Sequence, residues 1–222
     1  LIIRSNGTYS QQLASISILE QRRIKGIVKT GMTQNKAMIN IAQDVGKSGL
    51  LTSKVQLQTL TRTAITETSN FVSNTTYKLN DDVVQGYQYV ATLDSRTSLI
   101  CGRLDGKVYS LDNENAPQPP QHFNCRSTTI PVIKSTNQLL NTDNNRLQKR
   151  KIARLSDSRR ASINGQVPAK TTYPEWLKTQ PNEVKLAVLG SSKRVNLFDS
   201  GKVKFSQFSN RNGKLISLKQ LE

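Results

Sequence analysis

The sequence predicts an α+β protein: N-terminal helices packed on a small antiparallel sheet, then a basic linker and a small C-terminal module. Three observations carry that expectation. Apolar residues recur at helical spacing between Leu13 and Val72. From Tyr87 to Val132 the pattern changes to period-two alternation broken by short turns, which makes neighbouring strands antiparallel. Beyond Lys134, Asn, Ser, Gln and basic residues dominate until aromatic and aliphatic residues return at Tyr173. The corresponding boundaries are 1–80 for the helical region, 81–133 for the β region, 134–172 for the linker and 173–222 for the C-terminal module.

Asn6-Gly7-Thr8 reads as a turn and helix cap, after which Leu13, Ile16, Leu19, Ile24, Ile27 and Val28 form one stripe that Gly31 is expected to end. Thr33 caps a second helix with Ala37, Met38, Ile41, Ala42 and Val45 on one face and Gly46 as its stop. A third starts at Thr52 with the stripe Leu57, Leu60, Ala64, Ile65, Thr68, Phe71 and Val72. Such helices cannot bury their apolar faces alone, so they pack on one another and on the following sheet.

The β region opens with the strand Tyr87–Leu93 and continues through Asp94-Ser95-Arg96-Thr97 and Cys101 to a turn at Leu104-Asp105-Gly106-Lys107. A short strand holds Val108 and Tyr109. A polar loop from Asn113 to Gln121 with three prolines returns the chain to His122-Phe123-Asn124-Cys125-Arg126 and a last strand to Val132. Both cysteines and the single histidine lie here. Cys101, His122 and Cys125 are three soft or borderline ligands, His122 and Cys125 are spaced for chelation by one loop, and Asp94 is a candidate fourth ligand. Zinc accepts such a set. A Cys101–Cys125 disulfide and two plain thiols beside a structural histidine are the alternatives.

In the tail, Trp176 is expected in the core, Pro181 to Gly190 as a short helix, Arg194 to Phe198 as another element and Ser200-Gly201 as a turn.

The chain carries 32 Lys+Arg against 15 Asp+Glu, a formal net charge of +17. Residues 126–222 hold 19 basic and 6 acidic residues, a net of +13, while 1–125 hold 13 and 9, a net of +4. That asymmetry points to a polyanionic partner. Arg146, Lys149, Arg150, Lys151, Arg154, Arg159 and Arg160 are the candidate nucleic-acid contacts. No aromatic residue accompanies them, so they suit a phosphate backbone and sequence-independent binding. A charged linker with no ligand is the competing reading. No run of about 18 apolar residues exists, so no transmembrane helix and no membrane partner are expected. The first residues, Leu1-Ile2-Ile3-Arg4, are too short an apolar run for a signal peptide, and without an initiator Met they read as the start of a processed or truncated piece.

GxSxG, Walker, HExxH and GxGxxG patterns are absent, which argues against the enzymes those motifs mark. A Cys-His nucleophile pair is conceivable, but its residues recur together by chance.

The order Leu60-Thr61-Arg62-Thr63, Asp94-Ser95-Arg96-Thr97, Cys101, Leu104-Asp105-Gly106, Pro119-Pro120 and His122-Phe123-Asn124-Cys125-Arg126 resembles the head morphogenesis domain of tailed bacteriophages, the phage Mu F-like minor head protein family. The resemblance spans residues 30–132 and, more loosely, 173–222, through Trp176-Leu177, Val188-Leu189-Gly190, Arg194, Leu197-Phe198 and Ser200-Gly201. It implies a minor, non-enzymatic virion protein inside the capsid, made in the host cytoplasm. Its implied partners are the portal protein, packaged double-stranded DNA and other head proteins, and its implied role is head morphogenesis and DNA packaging or delivery. Cys101, His122 and Cys125 fall on the family's Cys/His positions. Ser127 stands where many members carry a further Cys, which removes one ligand. The alternative is an enzyme: a metal-dependent nuclease, or the carrier domain of a phage-associated toxin. The residues after Arg126 offer no catalytic cluster for the latter.

Overall fold

The computed structural model describes residues 17–48, 54–135 and 158–221. The expected features at Thr8, Leu13, Ile16 and Thr52, the side chain of Leu57, and the basic residues Arg146, Lys149, Arg150, Lys151 and Arg154 lie outside what it describes.

Helix α1 (Ile18–Thr33) is started by Ser17, whose hydroxyl accepts from the Glu20 N–H while the Glu20 carboxylate accepts from the Ser17 N–H. Gly31 does not end it. The chain leaves the helix at Asn35, which takes a left-handed φ of 52°. Gly31 instead faces α2 (Met38–Lys47), where a Cβ would lie 2.6 Å from Ile41 Cγ1. The glycine is a contact point between two helices. Nor is Thr33 the cap of α2: Ala37 occupies that position, and Gly46 lies inside the helix. Helix α3 (Lys54–Leu79) is the longest element among the described residues, and with α1 and α2 it encloses a core of Ile24, Val28, Ile41, Val45, Leu60, Ala64 and Phe123. Its expected apolar stripe ends early, since Phe71 and Val72 are exposed.

The sheet is antiparallel, with β1 (Val84–Val90) between β2 (Val108–Ser110) and β3 (Thr128–Ile133). Between β1 and β2 runs a helix that the alternation pattern did not announce, α4 (Leu99–Leu104), capped by the Ser98 hydroxyl on the Cys101 N–H. It seats Ile100, Cys101 and Leu104 against Tyr89, Ala91 and Cys125 in a second core.

The expected linker also contains structure. A hairpin of β4 (Arg159–Ser162) and β5 (Gly165–Pro168) follows, tied to the segment just after β1 by the Ile163 N–H to Leu93 carbonyl bond at 3.0 Å. The tail then forms α5 (Tyr173–Lys178), α6 (Asn182–Leu189), α7 (Ser192–Asp199), a short 3-10 turn (Phe205–Gln207) and α8 (Leu218–Leu221). Pro at the start of α5 and the left-handed Gly190 after α6 act as start and stop.

The core of this tail is Tyr173, Trp176, Leu177, Leu189, Val195, Phe198, Val203, Phe205 and Phe208, and it includes Leu93 and Leu99 from the preceding region. Gly102 of α4 packs so closely here that a Cβ would lie 2.6 Å from Tyr173 Cδ1 and 2.9 Å from Phe205 Cε1. The tail and the sheet region therefore share one apolar interior. No helix among the described residues is long and apolar enough to cross a membrane.

Candidate metal centre

Helix α3 organises the site through a polar row. Thr59, Thr63, Thr66 and Asn70 recur at intervals that place them on one face of the helix. The Thr63 hydroxyl accepts from the Asn124 N–H at 2.9 Å, and Thr59 accepts from the Asn124 side-chain amide at 3.2 Å. The Thr66 hydroxyl donates to the Cys125 carbonyl at 3.1 Å, and further along Tyr77 donates to the Thr129 carbonyl at 3.1 Å. The loop holding His122 and Cys125 is thus fixed by side chains of a helix some sixty residues earlier. Asn124 supplies the left-handed φ of 59° that the bend requires.

Three expected ligands meet. Cys101 Sγ lies 3.3 Å from His122 Nε2 and 3.7 Å from Cys125 Sγ, and all three ligand atoms fall within 4.8 Å of one another. Both cysteines are buried and free, and their sulfurs stand far beyond the roughly 2.05 Å of a disulfide, so that alternative is not formed. The separations suit an ion: two thiolates each about 2.3 Å from a tetrahedral zinc lie roughly 3.8 Å apart.

The histidine is oriented for ligation. Its Nδ1 is 2.8 Å from the Phe123 carbonyl, which can only accept, so Nδ1 carries the proton. Nε2 faces the site, 2.8 Å from Ser98 Oγ and 3.3 Å from Cys101 Sγ. A backbone partner on the far nitrogen is the usual support of a metal-bound imidazole.

The two thiols are unequal. Cys101 is drawn toward the thiolate, first by the Cys125 thiol beside it and then, against burial, by the hydroxyls of Ser127, Ser98 and Tyr89; the Tyr89 O–H lies 3.3 Å from the sulfur. Cys125 is pushed up by its bond to Cys101 and by burial, so it is the partner that holds the proton. A small pocket lined by Ser98, Cys101, His122, Asn124 and Arg126 opens onto the group. The arrangement can hold a metal ion.

Asp94 is placed elsewhere. Its carboxylate receives both terminal nitrogens of Arg126, Nη2 at 2.7 Å to Oδ1 and Nη1 to Oδ2, and also the Arg96 N–H at 3.0 Å. Burial raises its pKa, but the Arg126 hydrogen bonds and charge outweigh that and hold the carboxyl below its ordinary value. Asp94 locks the segment between β1 and α4 to the residue after Cys125 and is not grouped with the sulfurs.

Two of the candidate nucleic-acid contacts fall on the ordered hairpin. Arg159 is exposed. Arg160 points inward, its side chain only 12 % exposed, and bonds to Asp105 and to the Ala91 and Thr171 carbonyls. Its guanidinium is consumed by the fold and is not presented to a phosphate. Asp105, read from sequence only as a turn residue, is the centre of this junction, accepting from the Ala91 and Tyr173 N–H groups at 2.6 Å each.

Comparison with known proteins adds one finding. The family model described as "Phage Mu protein F like protein" matches residues 21–130, a segment that runs from α1 to β3 and contains Cys101, His122 and Cys125. No curated protein and no solved structure matches the chain. Residues 21–130 of this chain belong to the phage Mu protein F like family.

Proposed function

We propose that this chain is a minor head protein of a tailed bacteriophage, carried inside the capsid at the portal vertex, where it takes part in head morphogenesis and in packaging or delivering the genome. The observation that carries the reading is the family match across the helices, the sheet and the Cys-His-Cys group. Its partners on this reading are the portal protein, other head proteins and packaged double-stranded DNA. The role is architectural, without catalysis.

Zinc is the metal we assign to Cys101, His122 and Cys125, which would hold it through two sulfurs and one ring nitrogen. Bound there, it would cross-link α4 to the loop before β3 and hold the family domain's returning segment in place. Support comes from the thiolate-prone Cys101, the sulfur separation and the Phe123 carbonyl that orients the His122 ring through Nδ1.

DNA contact falls to Arg146, Lys149, Arg150, Lys151 and Arg154, with the exposed Arg159 beside them; Arg160 is withdrawn from the set because it is buried in the fold. Binding through phosphates alone is sequence-independent and salt-sensitive. The test is a salt titration of duplex binding. The wild-type chain is expected to bind unrelated duplexes alike. Replacing Lys149, Arg150, Lys151 and Arg154 by Ala is expected to weaken binding to all of them and to flatten the slope of affinity against salt. No detectable binding at about 50 mM salt, or no effect of the four substitutions, counts against DNA contact through this segment.

A further inference from the structure

A second pocket has a lining quite unlike that of the Cys-His-Cys group. It opens over the aromatic core where α5, α7 and the 3-10 turn meet α4. Its floor is apolar, formed by Phe198, Val203 and Phe205, all buried. Its rim is cationic: Arg103, Lys107, Lys178 and Lys204 all line it. No carboxylate is among the lining residues, and none of the four cations has an ion pair among the described residues. Lys178 Nζ stands 5.7 Å from the centre of the Phe198 ring, so one rim charge already lies against the aromatic floor.

Four like charges gathered around an apolar opening repel one another and are retained at some cost to stability unless an anion completes them. The apolar floor says what else the occupant must carry. A duplex phosphate backbone cannot enter such a pocket and has nothing to bury there. A nucleobase would leave its hydrogen-bonding edge facing phenylalanine and valine side chains. A peptide segment with one aliphatic or aromatic anchor flanked by Asp and Glu satisfies both demands, with the anchor in the pocket and the carboxylates on the rim.

We infer that this pocket docks an acidic segment of another protein through a single apolar anchor. With a formal net charge of +17 the chain itself is a poor source of such a segment, so the occupant belongs to a partner. The pocket lies in residues 103–206, largely outside the matched family segment, and the inference stands whether or not the metal assignment does.

The test uses the full chain and a labelled peptide, Asp-Glu-Asp-Leu-Phe-Glu-Asp-Glu, by fluorescence anisotropy at about 150 mM salt. Saturable binding is expected. It is expected to fall at least tenfold, about 1.4 kcal/mol, in a Lys178→Glu, Lys204→Glu variant, whose changes are at exposed positions. Ser206→Trp, which blocks the mouth without changing charge, is expected to abolish it. A peptide with Ser-Ser in place of Leu-Phe is expected to bind at least tenfold more weakly. Absence of saturable binding, indifference to Ser206→Trp, or equal binding of the Ser-Ser peptide would each overturn the proposal. So would a single-stranded oligonucleotide of equal charge that competes for the wild type and loses its binding in the same variants, since the site would then belong to nucleic acid.

Discussion

Asp105 and Arg160, fifty-five residues apart, form a buried two-point ion pair: Nη1 lies 3.0 Å from Oδ2 and Nη2 lies 3.1 Å from Oδ1, with the Asp105 side chain fully enclosed. The aspartate ends α4 inside the family segment, while the arginine belongs to β4 beyond it. With the Tyr173 N–H also on the Asp105 carboxylate, the pair fastens the hairpin and α5 to the sheet region. The tail is thereby a continuation of the same folded body.

Removing the acid strands a guanidinium that is nearly enclosed and two backbone N–H groups. Asp105→Ala is expected to lower unfolding free energy by about 3–5 kcal/mol, as for a broken buried pair. Arg159→Ala, on the exposed side of the same strand, is expected to change it by less than about 0.5 kcal/mol. Urea denaturation of the two variants makes the comparison, and similar small losses in both would mean that the junction is dispensable.

The Asp94–Arg126 pair has a pH signature. Because the folded state holds Asp94 below its unfolded pKa, the pair contributes its full stabilisation above about pH 4 and loses it as pH falls through the folded value. The stability gap between wild type and Asp94→Asn is expected to be largest at neutral pH and to shrink at pH 3. Other lowered carboxylates, such as Asp44 and Glu175, are common to both proteins and cancel in the difference. Chemical denaturation at the two pH values checks it, and a gap that widened in acid would contradict the assigned sign.

Metal content follows from the sulfurs. Protein purified without chelator is expected to carry about one zinc per chain, and Cys125→Ser to carry far less. Cys125 holds its proton in the metal-free arrangement, so binding must release it, and affinity is expected to rise about tenfold per pH unit for each proton released. Elemental analysis with thiol titration under denaturation decides the matter. Two titratable thiols with no metal would leave a pair of structural cysteines beside a histidine.

What the sequence made legible was the part written in periodicity. The helices, the three-stranded sheet and the convergence of Cys101, His122 and Cys125 follow from spacing and order. Features written in single contacts escaped it. Helix α4 spans six residues, too few for a stripe to stand out, although Ser98 before Leu99-Ile100 is a cap signal. The β4–β5 hairpin was hidden by polar composition, although Asn164-Gly165 between short extended runs marks its turn. Gly31 read as a helix stop because a glycine needed for close helix contact looks the same in one dimension. Asp94 and Arg160 read as ligand and phosphate contact; both are satisfied internally by charges distant in sequence, and nothing local announces such a pairing. The polar row on α3 that holds the site loop was legible in principle as Thr59, Thr63, Thr66 and Asn70 on one helix face.

The capsid-interior location proposed above is tested by protease protection in purified particles, read by quantitative mass spectrometry. The chain is expected to be present in intact virions and uncut by added protease, and to be degraded once the particles are opened. Absence from purified particles, or cleavage while the capsid is intact, would contradict it.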